Sequence, residues 1–115
     1  MSNTKLLANG NQMTVDEDES EFAQLDLSAY RTIRLSVENY EHSPAPVVII
    51  VSQVDQPNTI NASVITAVDS FSVPPGGAVS RVYEVPGETV AFLAKPEHPP
   101  LAGIEIDFTV YGRAD

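Results

Sequence analysis

The residues best able to do chemistry in this chain are its carboxylates and two histidines. Asp16-Glu17-Asp18-Glu19-Ser20-Glu21 places five acidic side chains in six positions. A hard cation such as Ca²⁺ takes six to eight oxygens from carboxylates and carbonyls, so Asp16, Asp18 and Glu19 are candidate Ca²⁺ ligands. The run begins like an EF-hand loop, but Glu21 stands at the glycine position and Leu27 at the bidentate glutamate position. The commoner reading of such a run is a solvated acidic turn that keeps the domain soluble. His42 and His98 are each flanked by a glutamate and a proline, in Glu41-His42-Ser43-Pro44 and Glu97-His98-Pro99-Pro100. A transition-metal site would need both imidazoles and a carboxylate to converge; the alternative is two exposed loop histidines.

Catalytic signatures are missing. There is no G-x-S-x-G elbow, no H-E-x-x-H, no G-x-x-x-x-G-K-[ST] and no G-x-G-x-x-G, the arrangements that hydrolase, zinc-protease, phosphate and dinucleotide chemistry require. Glu105 and Asp107 lie on one strand face at period two, which suits a wet face as well as a glycosidase pair. With no cysteine in the chain, disulfides, thiolate metal sites and cysteine nucleophiles are excluded. The expectation is a non-catalytic protein.

The scaffold behind these residues is legible in outline. The chain has 115 residues, the size of one domain, and is 43% apolar. Six basic residues stand against sixteen acidic ones, a net charge of -10. That balance argues against nucleic acid or an anionic membrane as partner, since phosphate neutralisation needs clustered Lys and Arg. No stretch approaches the ~18 apolar residues of a membrane span. The segment Met1 to Asn9 lacks the apolar centre of a signal peptide, so the default expectation is a cytoplasmic protein.

Prolines divide the chain into extended runs. A proline removes a ladder donor and fixes φ, so it belongs at strand ends and turns. Between the breaks, residues 4–8 and 12–15 read as two short strands around an Asn9-Gly10-Asn11 turn, and 22–27 as a third. In the run 32–38, Ile33, Leu35 and Val37 alternate with Thr32, Arg34, Ser36 and Glu38, the pattern of a half-buried antiparallel strand. Val47-Val48-Ile49-Ile50-Val51 is apolar throughout and predicts a strand covered on both faces. Residues 63–73 fit a helical face at spacings of three and four, but their β-branched content and uncapped end favour a strand. The runs 79–85 and 89–95 read as a hairpin around Pro86-Gly87-Glu88. The run 102–112 points Ala102, Ile104, Ile106, Phe108 and Val110 inward. Asn61-Ala62-Ser63 matches a glycosylation sequon by coincidence. Together these predict an all-β, antiparallel, jelly-roll-like β-sandwich of about eight strands in a single domain, residues 1–115.

If each strand crosses the sandwich once, successive loops alternate between its two ends. Loops 16–21, 39–46, 74–77 and 96–101 then share one rim, and loops 28–31, 54–62 and 86–88 the other. The first rim gathers the acidic run with Tyr40, Glu41, His42, Glu97 and His98, which become the candidate ligand-binding residues, because sandwich function sits on loops held by a rigid scaffold.

Two resemblances add to this reading. Phe71-Ser72-Val73-Pro74-Pro75-Gly76-Gly77 and Val85-Pro86-Gly87-Glu88-Thr89-Val90 look like the proline-glycine turns of a cupin. Ala78, Val79, Ser80 and Arg81 occupy the positions where its metal histidines would follow, so no metal-dependent cupin activity is implied. Leu25 to Leu35, and the run Ile104 to Arg113, resemble strands of discoidin-type and other galactose-binding-like jelly rolls. That resemblance implies a non-catalytic module that binds a carbohydrate or a protein, often with a structural Ca²⁺; Tyr30, Tyr40, Tyr83 and Tyr111 would supply its ring contacts. The alternative is a structural or assembly subunit that works by self-association into a homo-oligomer, with the net negative charge holding off uncontrolled aggregation. A cupin-like or glycosidase-like enzyme is the third reading.

Overall fold

Eight strands separated by turns make up the computed structural model, which describes residues 4–55, 64–85, 88–98 and 102–114. They are β1 (Thr4–Thr14), β2 (Ser20–Asp26), β3 (Thr32–Asn39), β4 (Val47–Asp55), β5 (Val64–Val73), β6 (Ala78–Glu84), β7 (Thr89–Pro96) and β8 (Glu105–Arg113). Sheet A runs β1-β8-β3-β6 and sheet B runs β2-β7-β4-β5, with every pairing antiparallel. The chain changes sheet at every connection except β4 to β5. That ordering is the jelly roll, two interleaved Greek keys folded into facing sheets. The sequon and the greater part of loop 54–62 lie outside the described residues.

The inward side chains of both sheets meet in one core. Ile33, Leu35 and Val37 of β3 and Ile106, Phe108 and Val110 of β8 face Val47, Ile49 and Val51 of β4 and Val90, Phe92 and Ala94 of β7. The period-two alternation read in β3 and β8 thus describes two central strands of sheet A. Phe22 from β2 closes one side, its ring meeting Phe108 edge-on at 4.7 Å and standing 6.2 Å from Phe92.

Several local expectations change. The first two predicted strands are a single strand, β1, whose register against β8 shifts between Leu6 and Ala8 and again between Gly10 and Met13. Asn9-Gly10-Asn11 lies within that strand instead of forming a turn. A bulge absorbs the extra residues while the ladder continues, and Gln12 takes a positive φ of 53° there. The 79–85 and 89–95 runs are no hairpin: β6 pairs with β3, whereas β7 lies between β2 and β4 in the other sheet. The uninterrupted apolar run of β4 is fully buried at Val47, Ile49 and Val51 but only half-buried at Val48 and Ile50. Ala102 is exposed. Of the 63–73 run, Val64–Val73 is the strand β5, as its β-branched residues required.

The registers also decide the loop geography. Asn39 pairs with Ile106, Glu38 with Ala78, Thr14 with Glu105 and Val47 with both Pro96 and Val73. β1, β3, β5 and β7 therefore end at one rim, and β2, β4 and β6 at the other.

Candidate functional site

At the first rim the candidate residues form two groups rather than one. On sheet A, the alternation of β8 aims Glu105 and Asp107 outward, beside the loop that leaves β3. The Tyr40 hydroxyl donates to Asp107 Oδ1 at 2.7 Å, and the Gln12 backbone N–H donates to the same oxygen at 2.7 Å. His42 Nε2 lies 2.5 Å from Glu105 Oε1, and its ring sits 5.4 Å from the Tyr40 ring at 60°. The neighbouring carboxylate opposes a second negative oxygen, so the hydrogen bond to Asp107 raises the Tyr40 hydroxyl above its ordinary pKa. Ser43, next to His42 in sequence, spends its hydroxyl on the Glu105 backbone, accepting from the N–H at 3.0 Å and donating to the carbonyl at 3.3 Å. It is not poised as a nucleophile.

On sheet B, Glu97 accepts a hydrogen bond from Ser72 Oγ at 2.9 Å and lies 3.7 Å from His98 Nε2. With Glu17, Asp18, Glu19, Lys95 and Pro96 it lines a cavity of about 290 Å³. Glu41, His42, Glu97 and His98 are exposed, and Glu41 rests over Gly76. Asp16, Asp18 and Glu19 are exposed too. Among the described residues no three His, Asp or Glu side chains gather as a cation would need. Tyr40, half-buried and tied through its hydroxyl, is not presented as a flat stacking platform.

The best-connected residue at this rim is one that motif reading passes over. Asn39 ends β3 with no solvent exposure. Its side-chain amide donates to the carbonyls of Ala45 at 3.1 Å and Val73 at 3.0 Å. Its backbone N–H donates to Gly77 O at 3.0 Å, and its carbonyl accepts from Gly76 N–H at 2.9 Å. Residues 74–77 form a turn closed by Gly77 N–H to Pro74 O at 2.9 Å, with Gly76 at φ 77°. Proline second and glycine third is the signature of a type II turn, whose third residue needs positive φ. Asn39 thus joins the ends of β3 and β5, the loop before β4 and this turn. The signal was present: the inward phase Ile33, Leu35, Val37 extrapolates to position 39, and an amide in an inward phase must find partners.

A second missed group closes the sandwich along one side. Asp69 of β5 accepts from Tyr83 Oη at 2.6 Å and from Arg81 Nη1 at 2.9 Å, both on β6, and the Arg81 guanidinium lies 4.7 Å from the Phe71 ring centroid. Inward-pointing charges on edge strands also discourage stray strand pairing. The Tyr83 hydrogen bond, aided by Arg81, holds the Asp69 carboxyl below its usual value, while burial and then Asp69 push the Tyr83 hydroxyl well above its own. A depressed carboxylate gives stability that is lost as pH falls below about 4, and a raised phenol gives stability that is lost as pH climbs above about 10. Tyr83→Phe should cost about 1 kcal/mol at pH 7 and shallow the alkaline limb. Thermal melts of both proteins from pH 7 to 11.5 check this; parallel curves would refute it.

The other rim holds a larger cavity, about 680 Å³, lined by Leu27, Ser28, Tyr30, Arg31, Thr32, Glu84, Val85 and Glu88. Backbone bonds from Leu27 N–H to Glu88 O at 2.6 Å and from Val85 N–H to Arg31 O at 2.9 Å pin its walls. Among the described residues no helix is long and apolar enough to cross a membrane.

Fold and rim together define a jelly-roll β-sandwich. No family model matches the chain, and no curated protein matches it. A solved structure from Bacillus, of endospore appendages that form disulfide-linked pili, is similar to it with a TM-score of 0.60. The likeness covers 100% of this chain and 92% of that one at 11% identity. It supports the β-sandwich class and does not single out a galactose-binding-like domain.

Proposed function

We propose that this chain is a non-catalytic structural subunit that works by self-association. The observation that carries the reading is the open architecture of the sandwich. β1 and β6 bound sheet A, and β2 and β5 bound sheet B, so each of these strands turns one row of backbone donors and acceptors away from its own sheet. Such edges, and the flat faces between them, are what β subunits use to join. The likeness to a pilus structure supports the same role. Because this chain has no cysteine, its contacts would be non-covalent, unlike disulfide-linked pili. Sedimentation velocity from micromolar to millimolar protein should show a mean sedimentation coefficient that rises with concentration. A monomer throughout would overturn the proposal.

The runner-up is a binding module for a carbohydrate or another protein, supported by the exposure of Glu41, His42, Glu97 and His98 on one rim. A glycan array and a pull-down are its tests, and silence in both removes it.

A further inference from the structure

Sheet A carries an unusual outer face. The outward residues of its four strands lie in cross-strand rows fixed by the register. One row runs Leu6, Tyr111, Arg34, Val82; the next Asn9, Thr109, Ser36, Ser80; the next contains Asp107, Glu38 and Ala78. The first row exposes apolar side chains around one cation: Leu6 is 45% and Val82 68% exposed, and the Arg34 guanidinium lies over the Tyr111 ring, 5.3 Å from its centroid. The second row is uncharged, its centre bridged by Ser36 Oγ and Ser80 Oγ at 2.9 Å. The third is acidic, and with Ser36, Ser80 and Thr109 of the second it lines a groove of about 410 Å³. A row with one positive charge and a row with two negative charges therefore stand on either side of a neutral row.

We infer that this face is a self-complementary interface with a second copy of the chain. The inference rests on the self-association reading and names the surface that performs it. A two-fold axis in the plane of contact, running along the Ser36–Thr109 row, lays each strand over its own copy in the opposite direction. Arg34 then meets the partner's Glu38, Tyr111 meets the partner's Asp107, and Val82 enters the groove above the partner's Ala78. Isologous pairing requires this kind of match, in which one patch carries both halves of its complement. Charges of opposite sign fix the register, and the buried apolar row supplies the attraction. Four strands at about 4.8 Å spacing and about nine residues at about 3.4 Å rise give roughly 600 Å² per copy. Over both copies that is about 1,200 Å², the low end of specific interfaces, so the dimer is a weak one.

Charge reversal separates this interface from simple repulsion between acidic molecules. Arg34→Glu makes the chain two charges more negative than -10 and Glu38→Arg two charges less negative. Both side chains are exposed, so circular dichroism should report an intact fold. Sedimentation equilibrium at ~0.15 M salt should show each single variant dimerising roughly tenfold more weakly, since each sets like charges face to face. The double variant Arg34→Glu/Glu38→Arg should recover to within about threefold of the wild type, because the pair is reversed but still complementary. Val82→Asp should also weaken the dimer roughly tenfold by putting a carboxylate into the acidic groove. If Glu38→Arg instead tightens association, net charge alone governs it and the interface is wrong. If the wild type associates and none of the variants changes it, the contact lies elsewhere, at the strand edges, and only the inference about this face falls. A wild type that stays monomeric overturns both.

Discussion

Asn39→Asp should bring the sandwich close to unfolding at neutral pH. The substitution keeps the shape of the side chain and removes both donor hydrogens. The bonds to Ala45 O and Val73 O become contacts between a carboxylate and two carbonyl oxygens. Oδ1 is already buried without a partner, so no group stands ready to compensate the charge. A buried charge left unpaired costs about 3–5 kcal/mol, against the roughly 5–15 kcal/mol that holds a domain together. Desolvation and the facing carbonyls would raise the new carboxyl above its ordinary pKa. A raised acid destabilises most at pH above its folded value, so the gap to the wild type should narrow as pH falls toward 4, where the protonated acid can donate one bond. Asn39→Ala should cost less, about 1–3 kcal/mol for two stranded carbonyls, with no such pH dependence. Urea melts at pH 7 and pH 4.5 test the pair. An Asp variant within 1 kcal/mol of the wild type at pH 7 would show that Asn39 does not hold the rim together.

Phe92→Ala should be comparably severe, and for a different reason. Phe92 has no solvent exposure and belongs to the aromatic series that runs through Phe22 to Phe108, from sheet B to sheet A. Truncation loses the transfer free energy of the ring and leaves a cavity that two hydrogen-bonded sheets cannot collapse to fill; such changes cost about 3–5 kcal/mol. For a chain of this size that is a drop of roughly 10–20 °C in Tm. Phe92→Leu, which retains most of the volume, should lose under about 1.5 kcal/mol. Calorimetry on both variants gives the comparison, and equal losses would mean that the ring's own contacts, and not the volume it fills, set the cost, against the cavity argument.

The rim chemistry was readable from spacing only in part. Counting strands placed Tyr40, His42, Glu97 and the acidic run at one end, because an antiparallel strand that crosses once must deliver alternate loops to the same side. The count survived the merging of the first two predicted strands into β1, since it ran back from β3 only as far as loop 16–21 and never crossed the supposed turn at Asn9-Gly10-Asn11. What counting could not do was separate Tyr40 and His42, which engage Asp107 and Glu105 of sheet A, from Glu97 and His98 above sheet B. That division depends on which sheet each flanking strand joins.

Local chemistry in the chain settled the central strands and their buried faces and the turn at 74–77, while it misplaced a turn at Asn9-Gly10-Asn11 inside β1. Pro75-Gly76 dictates its turn through φ preferences, and β3 and β8 show their inward faces through period-two alternation. Such signals are local because they arise from one residue's own dihedrals and from its partition between water and oil. Strand partners are a different matter. Pro86-Gly87-Glu88 has the composition of a tight hairpin, yet β6 and β7 lie in opposite sheets. Val90, Phe92 and Ala94 find full burial in β7 between β2 and β4, while Ser80, Arg81 and Val82 leave β6 suited to an edge. The Asp69–Tyr83 contact and the bond from Asn39 to Val73 O likewise exist only after both sheets have closed, because backbone hydrogen bonding between strands is the same for every sequence and only the shared core selects among pairings.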